Sequence, residues 1–148
     1  MNTMMEFNKN ATLTRKLYDR FLEPVCSKHR LTRMELDILL FLANNPGFDT
    51  ATDIIEQKHF SKSHVSSSVK QLEAKGYLAG SFHPGNRKTI HLNILPAAGE
   101  SVLDGQNAQK SFFSCVIQGI SPEEIRMIEQ ISGKINENIQ KALKEEVL

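Results

Sequence analysis

The chain has 148 residues, of which 40% are hydrophobic and 24% charged, enough for a domain that buries roughly 68–70% of its unfolded surface. Two cysteines, Cys26 and Cys115, with no CxxC between them exclude a disulfide scaffold and a cysteine-rich zinc site. The net charge of +1 neither attracts nor repels a polyanion by itself. The longest apolar run, Ile38 to Ala43, falls far short of the ~18 residues that suggest a membrane span. The start, MNTMMEFNKN, has no basic region followed by an apolar one, so no secretory signal and a cytoplasmic protein are expected.

In chain order, Leu13, Leu17, Phe21 and Val25 recur every four residues within Asn8 to Ser27, which predicts a first helix with that apolar stripe. Pro24 is expected to bend or end it. Thr32-Arg33-Met34-Glu35 is a capping-box sequence opening a second helix, Arg33 to about Asn44. Apolar residues on nearly every face make that helix a central, buried one, closed by Asn45-Pro46-Gly47.

A short helix over Thr50 to Gln57 and a helix from Ser61, its N-cap, to Lys75 follow. Val65, Val69 and Leu72 face inward on the latter, and Gly76 suits its left-handed C-terminal position. Two helices joined by so short a turn form a helix-turn-helix. Tyr77 to Phe82 and Thr89 to Leu95 read as strands, with His83-Pro84-Gly85-Asn86-Arg87-Lys88 as the loop between them. Helix-turn-helix plus hairpin makes a winged helix.

Pro96 then starts a helix that continues from Ala97 to Ile117 through Gly99 and Gly105 and stops at Gly119. Ser121-Pro122-Glu123-Glu124 opens the last one, along which Ile125, Ile128, Ile131, Ile135, Ile139 and Leu143 mark a single stripe. That stripe needs a partner. The expected fold class is therefore mainly α with a small β hairpin: a winged helix-turn-helix flanked by N- and C-terminal helices.

The charge is unevenly distributed. Between Lys58 and His91 lie Lys58, Lys62, Lys70, Lys75, Arg87 and Lys88 against Glu73 alone, a local +5, so the remainder of the chain carries −4. On the second helix of the helix-turn-helix, the side opposite Val65 presents Ser63, Ser66, Ser67 and Lys70, with His64 and Gln71 at its margin. Short hydroxyls let a helix sit deep in a major groove and bond to base edges or phosphates. Lys62 and Lys70 would meet phosphates.

Ser61 to Leu78, with its ending Leu72-Glu73-Ala74-Lys75-Gly76, resembles the recognition helix of MarR-family transcriptional regulators, and the likeness extends over essentially the whole chain. The resemblance implies a homodimer with interleaved first and last helices. It also implies a pseudo-palindromic double-stranded operator, with recognition helices in successive major grooves and wings in the flanking minor grooves. On that division, residues 1–30 are an N-terminal dimerisation helix, 31–95 the DNA-binding domain, and 96–148 the C-terminal dimerisation helices. The DNA-contacting residues would be Ser61, Lys62, Ser63, His64, Ser66, Ser67, Lys70 and Gln71 on the helix, with His83, Asn86, Arg87 and Lys88 on the wing.

The wing departs from the family pattern. Many members carry Asp-x-Arg there, the Asp bracing an Arg that enters the minor groove. Here the match is Asn86-Arg87-Lys88, and the later Leu-Thr-x-x-Gly is replaced by Ile94-Leu95-Pro96-Ala97-Ala98-Gly99. Arg87 is the expected groove-entering cation, because its planar fork suits a narrow groove.

No catalytic motif, dinucleotide fingerprint or phosphate-binding loop is present, so neither an enzyme nor a cofactor is expected. The histidines form no H-x-x-x-H pair and have no acid cluster nearby in sequence, which disfavours a metal site. Cys26 and Cys115 are expected to be buried, inert thiols. The resulting expectation is a DNA-binding repressor released by a small molecule lodged between the helical arms and the winged helix. Gly99, Gly105 and Pro24 would serve as flexible points. The alternative is a winged-helix module that binds protein without specific DNA binding.

Overall fold

The local signals for helix starts are realised as hydrogen bonds. In a computed structural model describing residues 3–145, Thr32 Oγ1 accepts from the Glu35 amide while the Glu35 carboxylate accepts from the Thr32 amide. Together they open α2, Arg33–Asn44. The same reciprocal box opens α3, Ala51–Lys58, between Thr50 and Asp53. It recurs between Ser121 and Glu124 at α6, Pro122–Lys144. Ser61 caps α4, Lys62–Ala74, by accepting from the His64 amide. Each box satisfies two amides that have no partner within the helix.

The other elements are α1 (Thr3–His29), the strands β1 (Leu78–His83) and β2 (Asn86–Ile94), a single 3₁₀ turn at Pro96–Ala98, and α5 (Gly99–Val116). The fold is mainly helical with one antiparallel hairpin, β1 against β2. The chain divides into two compact units, Met1–Phe112 and Phe113–Leu148.

In the first unit α2 is the centre. Leu36, Ile38, Leu39, Leu40, Phe41 and Leu42 are all buried, in one cluster with Leu22 and Val25 of α1, Ile54 of α3, Val65, Val69 and Leu72 of α4, and Leu78 and Leu92 of the hairpin. Each such side chain contributes roughly 1.5–3 kcal/mol of transfer free energy, so the helix-turn-helix is built around α2.

Of the two outcomes expected at Pro24, an end to the first helix is excluded: it runs on to His29. The missing proline N–H costs about 3 kcal/mol, which the burial of Val25 and Cys26 beyond it offsets. Lys28 and His29 also anchor that end on Asp104 of α5, at 2.8 and 2.7 Å. Of the expected stripe, Val25 is buried, Phe21 and Leu17 are half-exposed and Leu13 is exposed, and Leu22 and Cys26 are buried beside it. Arg30, in the left-handed region at φ 53°, then turns the chain, and the Leu31 amide donates to the Cys26 carbonyl.

Gly105 is a packing position. A Cβ there would lie 2.7 Å from Leu40 Cδ2 and 3.2 Å from Leu36 Cδ1, so the α5 backbone sits directly on α2. That corrects the expectation of a flexible point. A polar relay links the same two helices and adds α1: Gln106 donates to Asn44, Asn44 to Gln109, and Gln109 to the Tyr18 hydroxyl.

The second unit consists of the end of α5, a turn closed by Gly119 at φ +80°, and α6. Met127, Ile128, Ile131, Ile135, Ile139 and Leu143 are each 45–68% exposed along α6. Cys115, expected to be buried, is exposed; Cys26 is buried, which pushes its thiol pKa up.

Candidate nucleic-acid interface

The inward residues of α4 decide what its outer face presents. Val65, Ser68, Val69 and Leu72 are buried, which turns Ser61, Lys62, Ser63, His64, Ser66, Ser67, Lys70 and Gln71 to the surface. Ser68, the third serine of the run, is 6% exposed and belongs to the packed side. Gly76, at φ +74°, ends the helix, and the Tyr77 amide donates back to the Leu72 carbonyl.

The wing is tighter than its sequence suggests. The expected six-residue loop, His83 to Lys88, is a two-residue turn, Pro84-Gly85; His83 pairs with Asn86, and Asn86, Arg87 and Lys88 belong to β2. Proline presets one turn position and glycine, at φ +78°, supplies the other. The ladder shifts register between Ser81 and His83, which sequence alternation does not reveal. Asn86, at the position of the missing carboxylate, braces the backbone: its Oδ1 accepts from the Lys88 amide at 3.0 Å, across Arg87.

Not all of the local +5 is free. Lys75 donates to the Glu35 carboxylate at 2.8 Å and to the Arg30 carbonyl, so it serves the fold. Among the described residues, Lys62, Lys70, Arg87 and Lys88 enter no ion pair within 4.0 Å. Those four cations remain available on α4 and the wing.

His59, His64 and His83 are exposed, whereas His91 is half-buried beside an acid. His91 Nδ1 lies 2.7 Å from Asp49 Oδ1, and the His83 and His91 rings stack in parallel at 3.5 Å. Asp49, 42 residues away in sequence, supplies the acid that the sequence pattern lacked. Its carbonyl also accepts from the Leu92 amide at 2.7 Å, which ties β2 to the start of α3.

A cleft of about 670 Å³ opens between α1, α2, the α3–α4 turn and α5, lined by Tyr18, Arg33, Asp37, Lys58, Phe60 and Phe112 among others. Tyr18 and Phe21 meet Phe112 edge to face. The Arg33 guanidinium lies 5.0 Å over the Tyr18 ring and pairs with Asp19 and Asp37. Burial pushes the Asp37 carboxyl up, against the pull of Arg33 and Lys58. Burial alone would lower Arg33, but its bonds to Asp37 and Asp19 leave it raised. Sequence reasoning missed this cleft because its residues come from four elements.

No curated protein matches the chain in sequence. The model of the MarR family matches residues 30–88. Among solved structures, the transcriptional regulator PA3341 aligns with a TM-score of 0.80 at 20% identity, covering 93% of this chain and 97% of that one. A MarR-family regulator from Listeria monocytogenes in complex with a 26mer DNA aligns at 0.76 with 14% identity, covering 94% and 93%. Staphylococcus aureus MarR in complex with salicylate and kanamycin aligns at 0.74 with 18% identity and the same coverage. The likeness to MarR-family regulators thus holds at two levels, a winged-helix segment that matches the family's sequence model and a chain that has the family's fold.

Proposed function

We propose that the chain is a sequence-specific double-stranded-DNA-binding transcriptional regulator, a homodimer that represses by occupying a pseudo-palindromic operator and is released by a small-molecule effector. One observation carries it: a serine-rich, exposed face on α4 beside a braced wing, with four cations outside any ion pair among the described residues. Ser63, Ser66 and Ser67 are short enough to let the helix backbone approach base edges, with Gln71 and His64 at the rim. Lys62 and Lys70 neutralise phosphates, and Arg87 and Lys88 meet the minor groove. The relative from Listeria monocytogenes was solved with DNA, which supports the reading.

The α6 stripe supports the dimer, since it leaves a row of apolar side chains half-exposed on one helix, and a second copy offers a matching row. Two recognition helices would then address half-sites about 10–10.5 bp apart or a multiple of that. The effector would enter the cleft around Tyr18 and Phe112; salicylate, held by the Staphylococcus aureus relative, is the kind of small aromatic acid it suits. A ligand preferring one arrangement of α1, α2 and α5 shifts the population toward it.

The test is selection of duplexes from a random pool by the full chain, followed by titration at several salt concentrations. A recovered palindrome whose binding is lost in Ser67→Glu plus Arg87→Ala supports the site. Specific binding that survives both changes, or binding with no salt dependence, overturns it.

A further inference from the structure

We propose that Asp49, His83 and His91 form a binding site for a divalent transition-metal ion of the zinc type at the base of the wing. The three residues come from separate elements: Asp49 leads into α3, His83 ends β1, and His91 lies within β2. Each offers a ligand atom, and these atoms lie within 4.8 Å of one another. Two imidazoles and a carboxylate suit zinc and its neighbours, and leave a fourth position to water.

Half of the site is already organised. Asp49 is fixed through its carbonyl by the Leu92 amide and through its carboxylate by His91 Nδ1, both at 2.7 Å. In a tetrahedral site with bonds of ~2.0–2.1 Å the ligand atoms lie about 3.3 Å apart, so this pair, now at 2.7 Å, needs to open by about 0.6 Å. As the ion takes the place of the hydrogen bond, His91 binds through Nδ1 as the neutral imidazole with its one proton on Nε2, and Asp49 binds as the carboxylate.

His83 supplies the mobile ligand. It is exposed, and its ring lies flat on that of His91, with planes 1° apart, the sandwich arrangement that aromatic rings otherwise favour least. Turning the exposed side chain brings a ring nitrogen into the set without moving the strand. The other grouping of this kind, His29, Glu100 and Asp104, already holds the Lys28 ammonium at 3.1 Å from Glu100 and 2.8 Å from Asp104. Its negative charge is thereby satisfied without a metal.

An ion at Asp49, His83 and His91 would clamp the hairpin to the start of α3. Any consequence for operator affinity rests on the DNA-binding reading, whereas the site itself does not.

The experiment titrates the full-length protein with Zn²⁺ alone by calorimetry, and with Co²⁺ while recording its visible absorption. One ion per chain and a tetrahedral Co²⁺ spectrum are expected. His83→Ala, at an exposed position, should weaken binding at least about tenfold, a loss that even second-shell partners can cause, with an unchanged far-ultraviolet circular dichroism spectrum. Asp49→Asn should act in the same direction, and Asp104→Asn and His64→Ala should leave binding intact. Affinity unaltered by His83→Ala, loss of the ion in Asp104→Asn, or no binding by the unaltered protein would each overturn the site. Zinc bound by a protein that selects no duplex would leave the site standing and remove the DNA reading.

Discussion

The Lys75 ammonium at the end of α4 donates to the Glu35 carboxylate in the first turn of α2 at 2.8 Å, with the Glu35 side chain 3% exposed and that of Lys75 34%. The same carboxylate completes the Thr32 capping box, so a single buried charge fixes the start of the central helix and the end of the proposed recognition helix. Removing one partner of a buried pair costs about 3–5 kcal/mol, less where one group reaches water. Lys75→Met should therefore lower stability by about 2 kcal/mol in urea unfolding, and Lys75→Met with Glu35→Gln should cost less than the sum of the two. A loss below about 0.5 kcal/mol would show the pair to be idle.

The two glycines Gly105 and Gly133 should respond oppositely to alanine. At Gly133, in the interior of α6, an added Cβ meets nothing within 4 Å, so alanine should gain up to about 1 kcal/mol from helix propensity. At Gly105 it strikes Leu40, itself 2% exposed, and overpacking of about 1–3 kcal/mol should outweigh that gain. Thermal midpoints of the two variants test the difference in sign.

Asp104 and Asp37 should tilt the acid limb of the stability curve in opposite directions. Hydrogen bonds from Lys28 and His29 hold Asp104 below its ordinary value of 3.8. Its contribution is therefore present above 3.8 and lost as the pH falls toward the lowered value. Burial raises Asp37 above 3.8, so the folded state holds the extra proton and gains stability on acidification through that window. Across unfolding curves from about pH 6 to pH 3, Asp104→Asn should flatten the fall in stability and Asp37→Asn should steepen it. The same slope in both variants would contradict the assigned environments.

Much of the fold was legible because its signals are local. Thr32 with Glu35, Thr50 with Asp53 and Ser121 with Glu124 each act across three residues, and the buried side of α4 follows from one helical period. What failed depends on partners distant in sequence. Pro24 stays helical because the residues beyond it are buried and because Asp104 holds the end of α1, and that Leu22 and Cys26 join Val25 in the core follows from their packing with α2, which the spacing on α1 alone does not show. Of the site, the exposed serines were legible. The Pro84-Gly85 turn, the Asn86 brace and the approach of Asp49 to His91 were not, since strand register and a pairing across 42 residues leave no local pattern.

Salt dependence should separate the cations of the proposed interface. Lys70→Ala and Lys62→Ala should weaken binding to all duplexes and lower the slope of log K against log salt by about 0.9 for each phosphate no longer neutralised. Ser66→Ala should change base preference and leave the slope alone. A slope unaffected by either lysine would place the phosphate-binding groups elsewhere.

The cleft offers a selective block. Ala11 lies on its rim and is exposed, so Ala11→Trp should fill the entrance while leaving operator affinity within about twofold, a change below 0.5 kcal/mol. If the proposed effector site is this cleft, salicylate used as the probe should release the unaltered protein from its duplex and fail to release the variant. Equal release from both would place the effector outside this cleft.

The half-exposed isoleucines of α6 bear on how much of the protein a cell must hold. A lone subunit keeps that row in water, where it is prone to aggregation and to removal by quality control. Under the proposed dimer, operator occupancy rises with the square of the subunit concentration when subunits are scarce. A modest change in synthesis then produces a disproportionate change in repression, a steepness that comes from one helix face before any effector is involved.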